Sequence, residues 1–518
     1  MSKKTLAVAV ALTMVPMFSV AGSFQIVGGQ NLEPSHGGAV ASSSPANAES
    51  SPVLQGYHGL QVGGWRIQGA PAAISGALNG ISGNSEETNP KVLAEMLIAM
   101  TRQSGLVGYT ASIDAASHTI TLLKSTVDAR GDLSGYLGHT NTVKGIEDSE
   151  PLMAQAAAAE GGTASLNIGQ PEHGVVPVSA TVKNPGVRWS VGALLSSFGP
   201  RYAGSDVVSE YGTVRGDGYV GDLALTQGLP SWTPKQSFGG DYFGVSGGIS
   251  HPTPYGVFGI TGQYARFKEG GVSRDLGITG NTGLVGLTYA YPINPDWQVR
   301  SGLYYGFQHE TLGLVGFHSS QDFMAAKVGL AGVVPTGYRG GSISLKGNLW
   351  DGFGGHTTGI LLGRPSSNAW QMGNFNADLF QPLPYRMAVQ AEVGGQYATS
   401  NLPQQEYFTL GGAWRGDSYY TGQAATPSGI YGGIRLYAPD IKYKMSGQEY
   451  SARPFVGVNG SEGQPLFGEH LEAASVDMGS KFQISRYVSG EVGYALSIDN
   501  QGPHHPRGRL FFEVTGNY

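Results

Sequence analysis

The stretch Arg386-Met-Ala-Val-Gln-Ala-Glu-Val-Gly-Gly-Gln-Tyr397 decides the fold. Met387, Val389, Ala391, Val393 and Tyr397 alternate with Arg386, Gln390, Glu392 and Gln396. A period of two is that of an extended strand, whose successive side chains point to opposite faces. One face suits lipid and the other suits water, the arrangement of a membrane barrel with a polar lumen. A soluble β-sandwich also alternates, but with shorter strands and more charge on its polar face.

The pattern repeats on both sides of this stretch. In Val257 to Phe267, the residues Phe258, Ile260, Gly262 and Tyr264 oppose Gly259, Thr261 and Gln263; in Gln298 to Gln308, the residues Val299, Leu303, Tyr305 and Phe307 oppose Gln298, Arg300, Gly302, Tyr304 and Gln308. Short turns at Asn294-Pro-Asp296 and Pro382-Leu-Pro384 are expected at one rim, and longer polar connections such as Gly313 to Asp322 at the other. From Val178 to Tyr518 this makes a mainly β fold, a transmembrane antiparallel β-barrel; at roughly 20 residues per strand with its loop it holds about sixteen strands. The chain closes on Leu510, Phe512, Val514, Gly516 and Tyr518 at alternate positions, a lipid face ending in an interfacial aromatic. Phe512, Val514, Gly516 and Tyr518 are the candidate signal for the barrel assembly machinery.

Composition agrees. Only 13% of the 518 residues are charged, against roughly 25% in ordinary globular proteins, while glycine numbers 82 and tyrosine 26. A wall that meets lipid needs little charge. The net charge of −6 argues against a nucleic-acid surface. Met1 to Ala21, with Lys3 and Lys4 before an apolar run, is expected to be a cleavable Sec signal, and beyond it no run of about 18 apolar residues offers a membrane helix. Cysteine is absent, so no disulfide or thiolate site exists.

Between signal and barrel, residues 22–62 read as a low-complexity leader rich in Ser, Ala, Gly and Pro. Residues 63–138 have the composition of a small α/β domain: a strand at Gly64-Trp-Arg-Ile67 and a helix from Lys91 to Gln103 behind Pro90. Its buried stripe is Val92, Leu93, Met96, Leu97 and Met100, and strands follow at Tyr109 to Ile113 and Thr119 to Leu122. Residues 139–177 are expected to be a linker with a short helix over Pro151 to Glu160.

Catalytic and metal signatures are lacking: there is no H-E-x-x-H, G-x-S-x-G, P-loop or C-x-x-C. His504 and His505 are adjacent and would face apart on a strand. No enzyme activity, metal or cofactor is expected.

At Phe408-Thr-Leu-Gly-Gly-Ala-Trp-Arg-Gly-Asp-Ser-Tyr419 the sequence resembles the loop of two-partner-secretion transporters, the filamentous-haemagglutinin and haemolysin exporters, whose signature is F-x-L-G-G followed by V-R-G-[FY]. The resemblance implies a loop folded into the lumen, carried here by Leu410, Gly411, Gly412, Trp414, Arg415, Gly416 and Asp417, with Arg415 meeting an acidic group on a barrel strand. The spacing from Gly412 to Arg415 is short for the family, Trp414 replaces valine and Asp417 replaces the aromatic. Arg453-Pro-Phe455-Val-Gly-Val-Asn459-Gly460 resembles the family's F-x-D-x-G strand without its aspartate, which leaves the partner of Arg415 unassigned. Arg415-Gly-Asp417 is also a cell-adhesion triplet, a reading that a lumen-directed loop disfavours.

Residues 63–138 resemble the family's periplasmic polypeptide-transport-associated (POTRA) domain, and Asn184 to Trp189 and Arg201 to Gly204 its first barrel strands. The resemblance implies a pore in the outer membrane of a Gram-negative cell. That pore exports one large exoprotein without nucleotide hydrolysis, and its partners are that cargo, the barrel assembly machinery and outer-membrane lipid. Rival readings are a polysaccharide export barrel, a passive porin, and an insertase for other barrels.

Overall fold

The computed structural model describes residues 60–517 apart from short internal stretches, the longest at 82–88, 230–239, 360–366, 465–470 and 499–507. The expected signal, nearly all of the leader, His504, His505 and Tyr518 lie outside the described residues.

The barrel is closed and antiparallel, each strand pairing with the next, and the first, Arg188–Ser196, pairs with the last, Gly508–Asn517. Ser428–Tyr437 and Ile441–Met445 both pair with Gln448–Gln464, so they form one interrupted strand and the barrel has sixteen. The alternation read from the sequence is the alternation of the wall. Leu287, Leu303, Leu349 and Tyr397 stand outward with 55–70% of their surface exposed, a belt that only lipid would cover without cost. Polar residues such as Gln308 and Asn348 point inward and are buried in the lumen.

Two connections differ from expectation. Gly313 to Asp322 is not a long loop: Gly313–Val315 is a single 3-10 turn, and Phe317–Pro335 is one 19-residue strand. Its polar residues Ser319 and Gln321 face the lumen side, where polarity marks a wet wall as readily as a loop. The long connection is 399–427, which returns into the barrel. The barrel also begins at Arg188 and not Val178, because Val175–Lys183 belongs to a separate sheet.

The N-terminal part is two α/β units. In the first, Leu60–Val62, Trp65–Gln68, Thr119–Lys124 and Tyr109–Asp114 lie side by side in one sheet, with helices Ala72–Ile81 and Pro90–Gln103. Trp65, Ile67, Ile74, Leu78, Leu93, Leu97 and Ile120 form its core. The second helix buries Leu93, Ala94, Leu97 and Thr101, while Val92 and Met96 are exposed. The expected stripe is thus rotated, since the sheet meets the 93/97/101 edge. Leu60–Val62, expected in the leader, is already a strand.

The second unit replaces the expected linker and the end of the expected domain. Thr126–Arg130, Val175–Lys183 and Thr163–Ile168 form its sheet, and Val143–Ala159 is a 17-residue helix of which the expected Pro151–Glu160 segment is the second half. Met153, Ala156, Ala157, Val178 and Ala180 pack its core. Alanine makes poor contrast in a hydrophobicity pattern, which is why this helix reads as a linker.

This second unit sits against the barrel rim. The Tyr136 hydroxyl donates to Pro252 O at 2.9 Å, and Gly186 N to Glu160 O at 2.9 Å. Gly161, at φ +71°, passes so close to the next segment that an added Cβ would collide with Gly186 O. Gly161→Ala is expected to destabilise this junction by about 2 kcal/mol or more, from left-handed strain plus the clash. Faster proteolysis between the second unit and the barrel, with the barrel intact, is the readout.

Candidate functional site: a loop pinned inside the barrel

The connection 399–427 joins the strands Ala388–Ala398 and Ser428–Tyr437. Its two arms, Phe408–Leu410 and Ala424–Thr426, pair as a small antiparallel ribbon, every residue of which is buried. Phe408, Leu410, Ala424 and Tyr431 pack together, so the ribbon is held by an apolar cluster against the wall. The tip then turns back on itself through Gly412 (φ +93°) and Gly416 (φ +109°); a Cβ on Gly416 would lie 2.9 Å from Ala473 O. Trp414 also takes a left-handed conformation, φ +62°, which costs a non-glycine residue roughly 1–2 kcal/mol.

What holds Trp414 there is the charged group beneath it. The Trp414 backbone N–H donates to Asp417 Oδ1 at 2.8 Å, and its ring covers the Arg435 guanidinium at 4.5 Å. Arg435 stands on the inner face of the wall and is 1% exposed. It donates to Asp417 Oδ2 at 2.5 Å and approaches Glu491 Oε2 at 3.3 Å. Its Nε lies 2.9 Å from Asp477 Oδ2, a charge contact without hydrogen-bond alignment. Phe455 closes the opposite side, 4.6 Å from Arg435 Cζ. A guanidinium this deep needs anionic partners to offset its lost hydration, and three carboxylates supply them. Loop and wall are thereby tied through one cation.

Further contacts repeat the tie around the circumference. Asn459 Oδ1 accepts the backbone N–H groups of both Gly416 and Asp417 at 2.9 Å, and its Nδ2 donates to Asp477 Oδ1 at 2.9 Å. Ser418 meets Ser475 at 2.6 Å, Tyr419 meets Ser497 at 2.7 Å, and Thr421 donates to Phe198 O at 2.8 Å. Arg509, also buried, donates to Tyr419 O at 2.8 Å and to Ser197 O, and stacks 4.2 Å from the Tyr420 ring. On the far side of the lumen, Thr282 donates to Gln405 at 2.9 Å and Gln404 N to Gln321 at 2.8 Å. Asn459→Ala removes the acceptor of two buried N–H groups and is expected to loosen the tip by about 2–4 kcal/mol. Limited proteolysis would report it as faster cleavage within 411–421.

Of the residues singled out in the sequence, Leu410, Gly411, Gly412, Trp414, Gly416 and Asp417 are all at this tip. Arg415 is there too, but its guanidinium lies over the rings of Tyr431 (4.5 Å) and Phe408 (4.9 Å) and donates to Thr409 O and Oγ1. The carboxylate-gripping arginine is Arg435, on the strand, and the loop contributes the acid, Asp417. Arg415 reaches a wall carboxylate only through Tyr431, whose hydroxyl donates to Glu392 at 2.8 Å. Arg415 lies on the ribbon side of the tip, and Asp417 supplies the carboxylate that meets Arg435.

The wall carboxylate missing at Phe455–Gly460 sits one strand later, in Ser475-Val-Asp477-Met-Gly479. That D-x-G spacing is the signal the sequence offers, while nothing sets Arg435 apart from other inward polar residues. The Arg415-Gly-Asp417 triplet ends on an aspartate with 0% exposure, so no receptor reaches it in this state. On the last strand Leu510 is 59% exposed and shares the outward face with Phe512, Val514 and Gly516, while Arg509 and Phe511 point in.

No family model and no curated protein sequence matches the chain. Solved structures do. CdiB from Escherichia coli superposes with a TM-score of 0.62 at 14% identity, covering 91% of this chain and 93% of its own. CdiB from Acinetobacter baumannii gives 0.59 at 10% identity, over 94% and 96%. BamA from Haemophilus ducreyi lacking POTRA domains 1–3 gives 0.51 at 13% identity, over 89% and 100%. At such identities the likeness carries architecture alone: the chain has the sixteen-strand barrel fold of CdiB and BamA.

Proposed function

We propose that the chain is a divergent two-partner-secretion transporter, an outer-membrane pore that exports one dedicated large polypeptide. The observation that carries this reading is the loop 399–427, held inside a closed barrel by Arg435, Asp417 and Asp477. A diffusion pore has no need of a buried ionic latch across its lumen. A gate that opens for a particular cargo does.

The two α/β units, the second of them against the rim, fit the same reading, and we take them as POTRA-like, on the periplasmic side. Among the described residues their sheets end on Leu60–Val62 and Tyr109–Asp114, and on Thr126–Arg130 and Thr163–Ile168, each paired on one side only. An unfolded polypeptide adds to such an edge through main-chain hydrogen bonds, which hold it without demanding one sequence. Passage through a hydrated lumen then needs no nucleotide, and folding of the cargo outside makes the step one-way.

The test is the culture-medium proteome of a deletion strain beside the wild type. Loss of one large exoprotein, restored by complementation, supports export. An unchanged secreted set with reduced solute uptake would leave a porin in its place.

A further inference from the structure

Three cations gather on the lumen wall away from the loop latch. Arg300, Lys327 and Lys346 lie on the adjacent strands Trp297–Leu312, Phe317–Pro335 and Ser342–Thr358, all on inward-facing positions. Arg300 is directly opposite Gly329 in the strand register, Lys327 is two residues from Gly329 on the same face, and Lys346 is opposite Ala331. All three therefore surround one glycine, over which the Asn348 side chain folds to donate to Asn374 Oδ1 at 2.8 Å. Lys327 feels the charge of both Arg300 and Lys346, and its Nζ lies 5.0 Å from the Trp350 ring and 6.0 Å from that of Tyr304. The cations remain partly exposed to the lumen.

Like charges so placed repel, and a wall that only needed polarity would not concentrate them. Half-way round the barrel the signs are mixed, Asp477, Glu491 and Glu513 standing among Arg435, Lys481 and Arg509.

We propose that Arg300, Lys327 and Lys346 form a binding site for acidic segments of a polypeptide in transit through the lumen. The assignment rests on the export reading, but binding can be measured without export.

The experiment uses the full-length protein in detergent and a fluorescent oligoglutamate peptide, followed by anisotropy. Wild-type protein is expected to bind it, to lose most of that binding at about 0.5 M salt, and to ignore oligolysine. The variant Arg300→Gln/Lys327→Gln/Lys346→Gln is expected to bind about tenfold or more weakly. Should that variant not fold by heat-modifiable gel mobility, Lys327→Gln alone is expected to weaken binding about threefold. Equal oligoglutamate affinity in wild type and folded variant, or no binding by wild type, overturns the site. An intact secretome in the deletion strain alongside charge-dependent binding would instead overturn export and leave the site standing.

Discussion

Arg435→Ala is expected to unpin the loop and turn a gated barrel into a leaky one. The substitution leaves Asp417, Asp477 and Glu491 facing one another without the cation that offsets their charge. Removing one partner of a buried ion pair typically costs about 3–5 kcal/mol. Taken entirely on the loop, that lowers the pinned-to-unpinned ratio by a factor of about 150–5000. Two readouts follow. Conductance in planar bilayers, or uptake of an antibiotic normally excluded by the outer membrane, is expected to rise by more than about tenfold, and export is expected to fall because the latch no longer answers to cargo.

The companion variants separate charge from packing. Arg435→Lys keeps the charge but reaches one carboxylate at a time and loses the stacking of a planar group between Trp414 and Phe455, so partial leakage is expected. Arg415→Ala deletes contacts made to the loop's own Thr409 and to two rings, and its effect is expected to stay near about 1–2 kcal/mol by the usual strength of such contacts. If Arg415→Ala leaks as much as Arg435→Ala, the assignment of the latch to Arg435 is wrong.

The Arg435 latch is illegible in the sequence because a motif names only residue types at a spacing. In Trp414-Arg-Gly-Asp417 the acid stands where the family has an aromatic, so the pattern points to Arg415 alone. Arg435 lies in Gly432-Gly-Ile-Arg-Leu436, where an inward polar residue every second position is the rule for any wet wall. Only the folded chain brings Ser428–Tyr437 and Leu471–Gln483 to either side of Gln448–Gln464, placing Arg435 and Asp477 within reach. The second α/β unit is hidden for a different reason. Its core is largely alanine on the helix side, Ala156 and Ala157 with Met153, and small residues carry little periodic signal even when fully buried. The barrel itself is legible because lipid and water impose opposite demands on alternate residues of every strand.

Those opposite demands set the second large effect, at two positions on neighbouring strands. Leu303 faces outward, 55% exposed, opposite Leu287 at 59% in the register between Ile278–Pro292 and Trp297–Leu312. Leu303→Arg places a guanidinium on the lipid face and is expected to cost about 2–4 kcal/mol near the bilayer midplane. Thr288 is the next residue along that ladder, pairs with Gly302, and faces the lumen. Thr288→Arg has the same added charge but meets water, so it is expected to fold within about 1 kcal/mol of wild type. Urea midpoints of refolding into lipid vesicles, or heat-modifiable mobility of the membrane fraction, would separate the two. Equal tolerance at both positions would mean that the outward belt does not face lipid, and the membrane reading of the whole alternation would fail with it.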